Sequence, residues 1–190
     1  MKHLDKRLYM LPITEGLHNA HDILGGIYDT IKKEKTLLRL FYDEEAYTRS
    51  KFIHNILRPN SWPFVIFWEG VAVGFAWLNT PEGRSARGHA VLFSRAWGRK
   101  TSSAICRACF THLIHLQDEQ GYLFDVLLGL TPTSNTLAVA LSKASGAEVV
   151  GVIPHGIYIE KEGHTVDGML FSVTREGLAR SATQEQEREV

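Results

Sequence analysis

The sequence contains little cysteine and carries no net charge. Only two of its 190 residues are cysteines, and 21 lysines and arginines balance 21 aspartates and glutamates. Two cysteines do not make a disulfide framework, so we expect a reducing, cytoplasmic setting. Balanced charge argues against a broad electrostatic surface for nucleic acid or an anionic membrane, but it still allows a local basic pocket for a small anion.

Long apolar runs and internal repeats are also missing. No stretch approaches the ~20 apolar residues of a membrane-spanning helix, and the first residues lack the apolar core of a signal peptide. We therefore expect neither a membrane segment nor a secretory one. With 44% hydrophobic and 22% charged residues, the composition is that of a globular protein. The length favours one domain over 1–175, followed by a flexible charged tail over 176–190.

The spacing of apolar residues predicts a mixture of helices and strands. The predicted helices cover 17–35, with a possible break at Gly25-Gly26, 44–57, 101–120 with Gly121 as the C-cap, and a segment from Ser134 or Asn135 to Gly146. The predicted strands cover 8–13, 64–68, 71–78, 89–94, 124–130, 148–159 and 169–173. Glu69-Gly70 is a two-residue hairpin signal, so the second and third strands are predicted to be antiparallel.

The most informative segment is 93–104, FSRAWGRKTSSA, in which an apolar strand leads into a basic turn and then an amphipathic helix. Backbone N–H groups at a helix N-terminus are unpaired and carry partial positive charge. Gly98 allows close approach of a ligand to the backbone, and Arg99 and Lys100 add cationic side chains. The segment is typical of a phosphate site, although a structural turn with a solvated basic tip has the same pattern.

The predicted order of helices and strands, together with two sequence motifs, resembles the GNAT superfamily of N-acetyltransferases over about residues 8–173. The family's R/Q-x-x-G-x-G/A turn is matched by Arg95 and Gly98, with Lys100 at the last position. A shifted register instead places Lys100 and Ser102 at the later small positions. Either way one glycine of the motif is absent.

The second motif, N-x-x-A-x-x-x-Y-x-x-x-G-F, is represented by residues 135–147, NTLAVALSKASGA. Asn135, Ala138 and Gly146 match it. Ser142 stands where the family often has a tyrosine that acts as the general acid for the departing thiolate, and Ala147 replaces the phenylalanine. We expect loss of that acid to slow acyl transfer without abolishing it, because a thiol of pKa ~8.5 leaves tolerably near neutral pH.

The resemblance implies an α/β (α+β) fold, with a mixed, mostly antiparallel central sheet flanked by helices. It also implies acetyl-CoA as co-substrate, bound at the phosphate turn and between two separating strands. The cofactor-binding residues implied are Leu92, Phe93, Ser94, Trp97, Gly98, Arg99, Lys100, Thr101, Ser102 and Asn135. The acceptor would be a small-molecule or peptide amine, and an exposed sheet edge could pair two copies into a homodimer.

The general base is not assigned by the sequence. His89, Asp125 and His155 are candidates because they lie at or near strands of the proposed site, but a histidine or aspartate at a strand end is more often a structural group. The absent tyrosine and the single glycine also permit another interpretation. In it the chain is a catalytically degenerate GNAT-like binding or structural protein, related to phage-encoded proteins of this kind.

A cysteine and histidine pattern on the long predicted helix suggests zinc at first sight. Cys106, Cys109, His112 and His115 recur every three residues. On a helix these side chains spread around half the circumference and rise by more than ~10 Å, too far apart for one tetrahedral ion. We expect no metal site.

Overall fold

The molecule is organised around a seven-stranded sheet. The computed structural model describes residues 5–42 and 48–188, with the backbone alone for Arg99 and 185–188. The strands are β1 (Leu8–Pro12), β2 (Trp62–Trp68), β3 (Val71–Glu82), β4 (Ser85–Leu92), β5 (Gln117–Asp118), β6 (Gly121–Tyr122), β7 (Val126–Pro132), β8 (Glu148–Ile159) and β9 (His164–Val173). The large sheet has the order β1-β2-β3-β4-β7-β9-β8, and β5 and β6 form a separate hairpin.

Only one neighbouring pair in the described part of the large sheet, β4 and β7, is parallel. The mixed, mostly antiparallel sheet expected from the sequence is therefore confirmed. The edge strands are β1 and β8, and β8 exposes Val149, Val150 and Val152.

Helices cover both faces of the sheet. They are α1 (Ala20–Lys33), α2 (Leu37–Leu40), α3 (Arg49–Ile56), α4 (Arg99–Ile114), α5 (Thr136–Ala144) and α6 (Arg175–Arg188). Because side chains alternate along a strand, Phe75 and Trp77 of β3 face α1 to α3, whereas Ala76 and Leu78 contribute to the core beneath α4. Among the described residues, no helix is long and apolar enough to span a membrane.

The first N-terminal helix differs from the sequence prediction, and the next predicted helix is observed. Helix α1 continues through Gly25-Gly26 without a break. Gly25 is buried, and the end of the Arg49 side chain lies against it, so an added Cβ would require that side chain to move. The predicted helix over 44–57 is observed as α3, and residues 44–47 lie outside the described part of the chain. Thr48 caps α3 by accepting a hydrogen bond from the Lys51 N–H at 3.2 Å.

Helix α4 is shorter than predicted and does not end at Gly121. It ends at Ile114, and the chain then forms the β5–β6 hairpin. In that hairpin the Asp118 carboxylate accepts a hydrogen bond from the Gln120 N–H at 2.8 Å, and Gly121 has a φ of +114°. The predicted C-cap glycine therefore serves the hairpin instead.

The segment predicted as a flexible tail is helical as far as Arg188. Leu178 of α6 is buried in the core beneath α4, beside Gly146. Arg180 forms an ion pair with Glu148, the first residue of β8, at 2.7 Å. These contacts join the start of α6 to the domain, which the charged composition of the segment did not indicate.

Candidate active site

Strands β4 and β7 lie side by side and separate toward their carboxyl ends. Their parallel pairing covers residues 85–87 of β4 and 126–128 of β7. Beyond these residues β4 continues to Leu92 and β7 to Pro132, with no further pairing between the two in the described structure. The strands therefore form the walls of a cleft that opens at their carboxyl ends, where unpaired backbone groups can bind a ligand.

Each wall of this cleft leads into a helix N-terminus. β4 is followed by the single turn Ser94–Ala96 and then by α4, whose N-cap is Gly98. β7 is followed by Asn135, which caps α5 by accepting a hydrogen bond from the Ala138 N–H at 3.3 Å. Because β4 and β7 are parallel neighbours, both helix N-termini follow the same end of the cleft, and both contribute partial positive charge there.

The turn before α4 is held by Ser102. The Ser102 hydroxyl accepts a hydrogen bond from the Gly98 N–H at 3.2 Å and donates one to the Ala96 carbonyl at 2.9 Å. Gly98 has a φ of +152°, which residues with a Cβ rarely adopt, yet a Cβ built there meets nothing closer than Thr101 Oγ1 at 3.9 Å. Backbone conformation, not space, therefore requires glycine at this position. Lys100 has helical backbone, so its position requires no glycine.

The residues between β4 and Gly98 are largely engaged in the fold. Leu92 and Phe93 are buried. Ser94 donates two hydrogen bonds to the Glu34 carboxylate at the end of α1, from its N–H at 2.9 Å and from its hydroxyl at 2.6 Å. Trp97 is 58% exposed, while its indole N–H donates to the Leu92 carbonyl at 3.0 Å. Ser94, Trp97, Gly98, Lys100 and Thr101 are the exposed members of the expected cofactor-binding set among the side chains that the structure describes.

A cavity of about 310 Å³ lies where the end of β7 meets the N-terminal region and the turn after β8. Asn135 lines it from the start of α5, Arg39 and Tyr42 from the end of α2, and Glu162 from that turn. Burial raises the pKa of Tyr42 above its usual value, and this outweighs the opposite effect of a side-chain hydrogen bond with Asn135. Sequence reasoning identified Asn135 and missed Tyr42, which belongs to no recognisable motif.

His89 lies in the middle of β4, on the face covered by the N-terminal helices. Its ring stacks on Trp77, with ring centroids 4.5 Å apart, and Nε2 is 3.1 Å from Asn79 Oδ1. Because an amide oxygen only accepts, Nε2 carries the proton in this contact and Nδ1 keeps its lone pair. Burial, and secondarily the charge of Arg87, lower the pKa of His89 to about 4. The ring is therefore neutral at neutral pH.

Solved structures resemble the chain over nearly its whole length. RimL, a ribosomal L7/L12 α-N-protein acetyltransferase in complex with coenzyme A, matches with a TM-score of 0.68 at 14% identity, over 92% of this chain and 97% of that one. The spermidine N-acetyltransferase from Vibrio cholerae, in complex with CoA and spermine, matches with a TM-score of 0.66 at 12% identity, over 92% and 99%. The chain has the GNAT acetyltransferase fold.

The microcin C7 self-immunity acetyltransferase MccE, in complex with acetyl-CoA and AMP, matches this GNAT fold equally well. Its TM-score is 0.66 at 13% identity, over 90% of this chain and 93% of that one. No family model and no curated protein matches the sequence. The resemblance is therefore carried by the backbone of the GNAT sheet and its cleft, whereas most side chains differ.

Asp125 lies at the other end of this GNAT sheet. It precedes β7 by one residue, at the end where β4 and β7 are still paired. Its carboxylate forms ion pairs with Arg84 at 2.5 Å and with Arg175 at 2.6 Å. Hydrogen bonds from these two guanidinium groups lower the pKa of Asp125 to about 2. Asp125 is thus ionised and held in an ion-pair network away from the open end of the cleft.

We predict that Asp125→Asn lowers stability at neutral pH and that the effect disappears in acid. The pKa of Asp125 is about 2 in the fold and near ~3.9 in an unfolded chain, so its contribution is present above pH ~4 and is lost as the pH falls toward 2. The difference in urea midpoint between wild type and variant should shrink over that interval. A difference that stays constant down to pH 2 would contradict this account. Asp22→Asn, at an exposed aspartate of α1, is the control.

His155 lies on the outer strand β8, where the register with β9 is broken. It has a φ of +54°, its N–H donates to Asp167 Oδ1 at 3.0 Å, and its Nδ1 is 3.1 Å from the Thr165 hydroxyl. No hydrogen bond or ion pair joins any two of His89, Asp125 and His155 within residues 5–42 and 48–188. The structure does not bring the three candidate bases together.

The second GNAT motif contributes its first residue to the cavity, whereas the position at which the family often has a tyrosine lies outside the cavity. Asn135 lines the cavity, whereas Ser142 lies two helical turns further along α5 and is not part of the lining. Gly146 ends the helix segment with a φ of +93°, as predicted, and a Cβ there would press on Leu178 and Ser181. Leu137 and Ala144 of α5 are exposed.

The cysteines and histidines of α4 serve packing. Cys106 and Cys109 are buried free thiols, and burial raises the pKa of Cys106 to about 12, so it is not a reactive thiolate. His112 packs edge-on against Phe64, and His115 Nδ1 is 2.7 Å from the Thr111 carbonyl. The described residues contain no group of three or more ligand-type side chains that could hold a metal ion.

Proposed function

We propose that this protein is an acetyl-CoA-dependent N-acetyltransferase that acts on an amine. The observation that carries the proposal is the cleft between β4 and β7, with the N-termini of α4 and α5 following its open end. A flexible, phosphorylated thioester suits such a site. The polar groups of its flexible arm can form hydrogen bonds with the unpaired backbone groups of the two strands, while its phosphates bind a positive helix end.

The pyrophosphate of the cofactor would bind at the start of α4. The first N–H groups of a helix have no partner within it, and those of Arg99, Lys100 and Thr101 follow the left-handed Gly98. The exposed Lys100 side chain adds a cation at the same helix end. The hydrogen bonds of Ser102 fix the turn before binding, so little ordering would be needed when the phosphates arrive.

The arm of the cofactor would enter the cleft from the start of α4, pass Asn135 and run toward the residues where β4 and β7 pair. It would fit between 88–92 of β4 and 129–132 of β7, the parts of the two strands that are not paired with each other. This direction leads away from the two helix N-termini and toward residues 85–87 of β4 and 126–128 of β7. The thioester would then reach the region between β4 and the N-terminal helices, from which an amine could approach.

His89 is the base that we retain among the three candidates. It is neutral at neutral pH, it lies on a cleft strand, and its Nδ1 keeps a lone pair. A pKa of about 4 makes it a weak base, which suits an amine that is partly deprotonated already. An α-amine of pKa ~8 meets this condition far better than a lysine-type amine of pKa ~10.4. We therefore propose an acceptor with an amine of low pKa.

Calorimetric titration with acetyl-CoA tests the cofactor site. We expect saturable binding with a micromolar Kd, weakened about tenfold in Lys100→Glu because a repelling carboxylate replaces a cation beside the phosphates. Lys51→Glu makes the same charge change on α3 and should leave the Kd unchanged. Desulfo-CoA and dephospho-CoA separate contributions of the sulfur and the 3′-phosphate.

No heat and no thermal stabilisation at millimolar acetyl-CoA would contradict the proposed function and favour the catalytically degenerate interpretation. If binding is observed, peptides with a free α-amine should be compared with the same peptides carrying only a lysine amine. We expect faster acetylation of the α-amine, measured by mass spectrometry of the products. Equal rates at both amines would contradict the argument that a weak base such as His89 requires an acceptor amine of low pKa.

A further inference from the structure

One carboxylate at the open end of the cleft has no part in the cofactor binding described so far. Glu34 is the C-cap of α1, and each of its carboxylate oxygens accepts a hydrogen bond from Ser94. Oε2 accepts from the Ser94 N–H at 2.9 Å and Oε1 from the Ser94 hydroxyl at 2.6 Å, across 60 positions of sequence. Hydrogen bonds to a carboxylate are shorter and stronger than those between neutral groups. The pair is therefore a firm long-range contact.

This contact joins elements that lie on opposite faces of the sheet. Helix α1 packs with Phe75 and Trp77 on one face, whereas α4 packs with Ala76 and Leu78 on the other. Ser94 follows the carboxyl end of β4 and begins the turn that leads into α4. A helix on one face is thus tied to the start of the helix on the opposite face.

The turn before α4 is consequently fastened at both ends. Ser102 bonds to the backbone at its far end, and the Ser94 carbonyl accepts a hydrogen bond from the Trp97 N–H at 3.1 Å. These bonds join residues close in sequence, so they fix the shape of the turn. Glu34 instead fixes the position of the turn relative to α1, and with it the direction in which the first N–H groups of α4 point.

The sign of the charge separates this role from attraction. A carboxylate repels the phosphates of a cofactor bound at the start of α4, so its charge alone would weaken binding. In addition, Ser94 gives both its N–H and its hydroxyl to Glu34, which leaves it no donor for a phosphate. Any favourable effect of Glu34 on the cofactor must therefore act through the position of the turn.

We propose that Glu34 is a positioning residue that holds Ser94 and thereby aims the first N–H groups of α4 at the phosphates of acetyl-CoA. This inference rests on the proposed function. Ser94, which the sequence placed among the cofactor-binding residues, is in this account the partner of Glu34 and not a phosphate ligand.

Calorimetry of Glu34→Ala and Glu34→Gln with acetyl-CoA tests the proposal. We expect Glu34→Ala to raise the Kd about tenfold, because binding must then restore an order comparable to one charge-assisted hydrogen bond. Glu34→Gln should stay within about threefold of wild type, since its amide can accept from the Ser94 N–H and donate to the Ser94 hydroxyl. Tighter binding in both variants would overturn the proposal, because Glu34 would then act only through its charge.

The matched control is Glu15→Ala, which removes an exposed carboxylate that precedes α1 and should leave the Kd unchanged. Thermal unfolding shows that each variant is folded at the temperature of the titration. A lower melting temperature with an unchanged Kd in Glu34→Ala would also overturn the proposal, because the contact would then serve stability alone.

A double-mutant cycle with Ser94→Ala shows whether Glu34 acts through Ser94. With the Ser94 hydroxyl removed, Glu34→Ala should raise the Kd by a clearly smaller factor than it does in wild type. Equal factors in the two backgrounds would contradict a role through this hydroxyl, and the proposal would be abandoned.

The titration of wild type separates this proposal from the proposed function. If wild type does not bind acetyl-CoA, the proposed function fails and the role of Glu34 fails with it. If wild type and Glu34→Ala bind equally well, only the role of Glu34 is overturned. Binding by wild type, with weak binding by Glu34→Ala and recovery in Glu34→Gln, supports both.

Discussion

Replacement of Gly98 by valine is expected to raise the Kd of acetyl-CoA at least about 100-fold. Gly98 has a φ of +152° and caps α4 with its N–H held by Ser102. A β-branched residue does not adopt this conformation without strain of ~1–3 kcal/mol, so the turn is expected to rearrange. The N–H groups at the start of α4 would then be misplaced, and hydrogen bonds to a charged phosphate contribute about 1.5–3 kcal/mol each.

Calorimetry of wild type, Gly98→Val and Gly26→Val measures this effect. Gly26 is a suitable control because it lies on the exposed side of α1 with nothing within 4 Å of an added Cβ. We expect the control to bind acetyl-CoA as wild type does. If Gly98→Val also bound normally while remaining folded, the start of α4 would not be the phosphate site. The proposed position of the cofactor would then have to be abandoned.

The sequence was sufficient where a short-range rule decides the structure. The hairpin at Glu69-Gly70 is observed, with φ of +52° and +80° at these two residues, because few residue pairs accept such backbone angles. The bounds of β8 agree with the prediction at both ends. The strand-to-helix turn at Gly98 follows the same logic, since apolar strand, glycine and helix are all local signals.

The sequence was insufficient where distant residues decide the structure. A glycine pair within a helix is locally a weak point, but α1 continues through it, and the Arg49 side chain from α3 lies against Gly25. The charged residues after Arg175 show little helical periodicity of apolar residues, yet Leu178 is buried in the core beside Gly146. Neither contact leaves a pattern in the sequence around it.

The same dependence on contacts between distant residues explains why the sequence predicted only part of the candidate site. Asn135 and the turn at Gly98 have motifs, so they could be named from the sequence. Tyr42 could not, because it reaches Asn135 only when the end of α2 meets the start of α5. His89 could be named but not evaluated, since its lowered pKa comes from burial in the assembled fold.

Phe52→Ala is expected to destabilise the fold by about 3–5 kcal/mol, the usual effect of emptying a fully buried phenylalanine site. Phe52 of α3 is completely buried, and its ring lies 5.8 Å from the rings of Tyr28 and Phe41 and 6.0 Å from that of Phe75. The substitution therefore removes the contact that joins α1, α3 and the sheet. Guanidinium chloride unfolding measures the loss as a lower midpoint.

The same substitution should also reach the candidate site, because the aromatic cluster around Phe52 extends to His89. Phe41 is supported edge-on by Phe52 and stacks on Trp77 at 5.4 Å, which in turn stacks on His89. Without Phe52 the chain at Phe41 is free to shift, so kcat should fall under conditions where the variant is still folded. Val150→Ala, on the exposed edge of β8, should change neither midpoint nor kcat. Loss of stability with unchanged kcat would mean that His89 is positioned independently of this aromatic cluster.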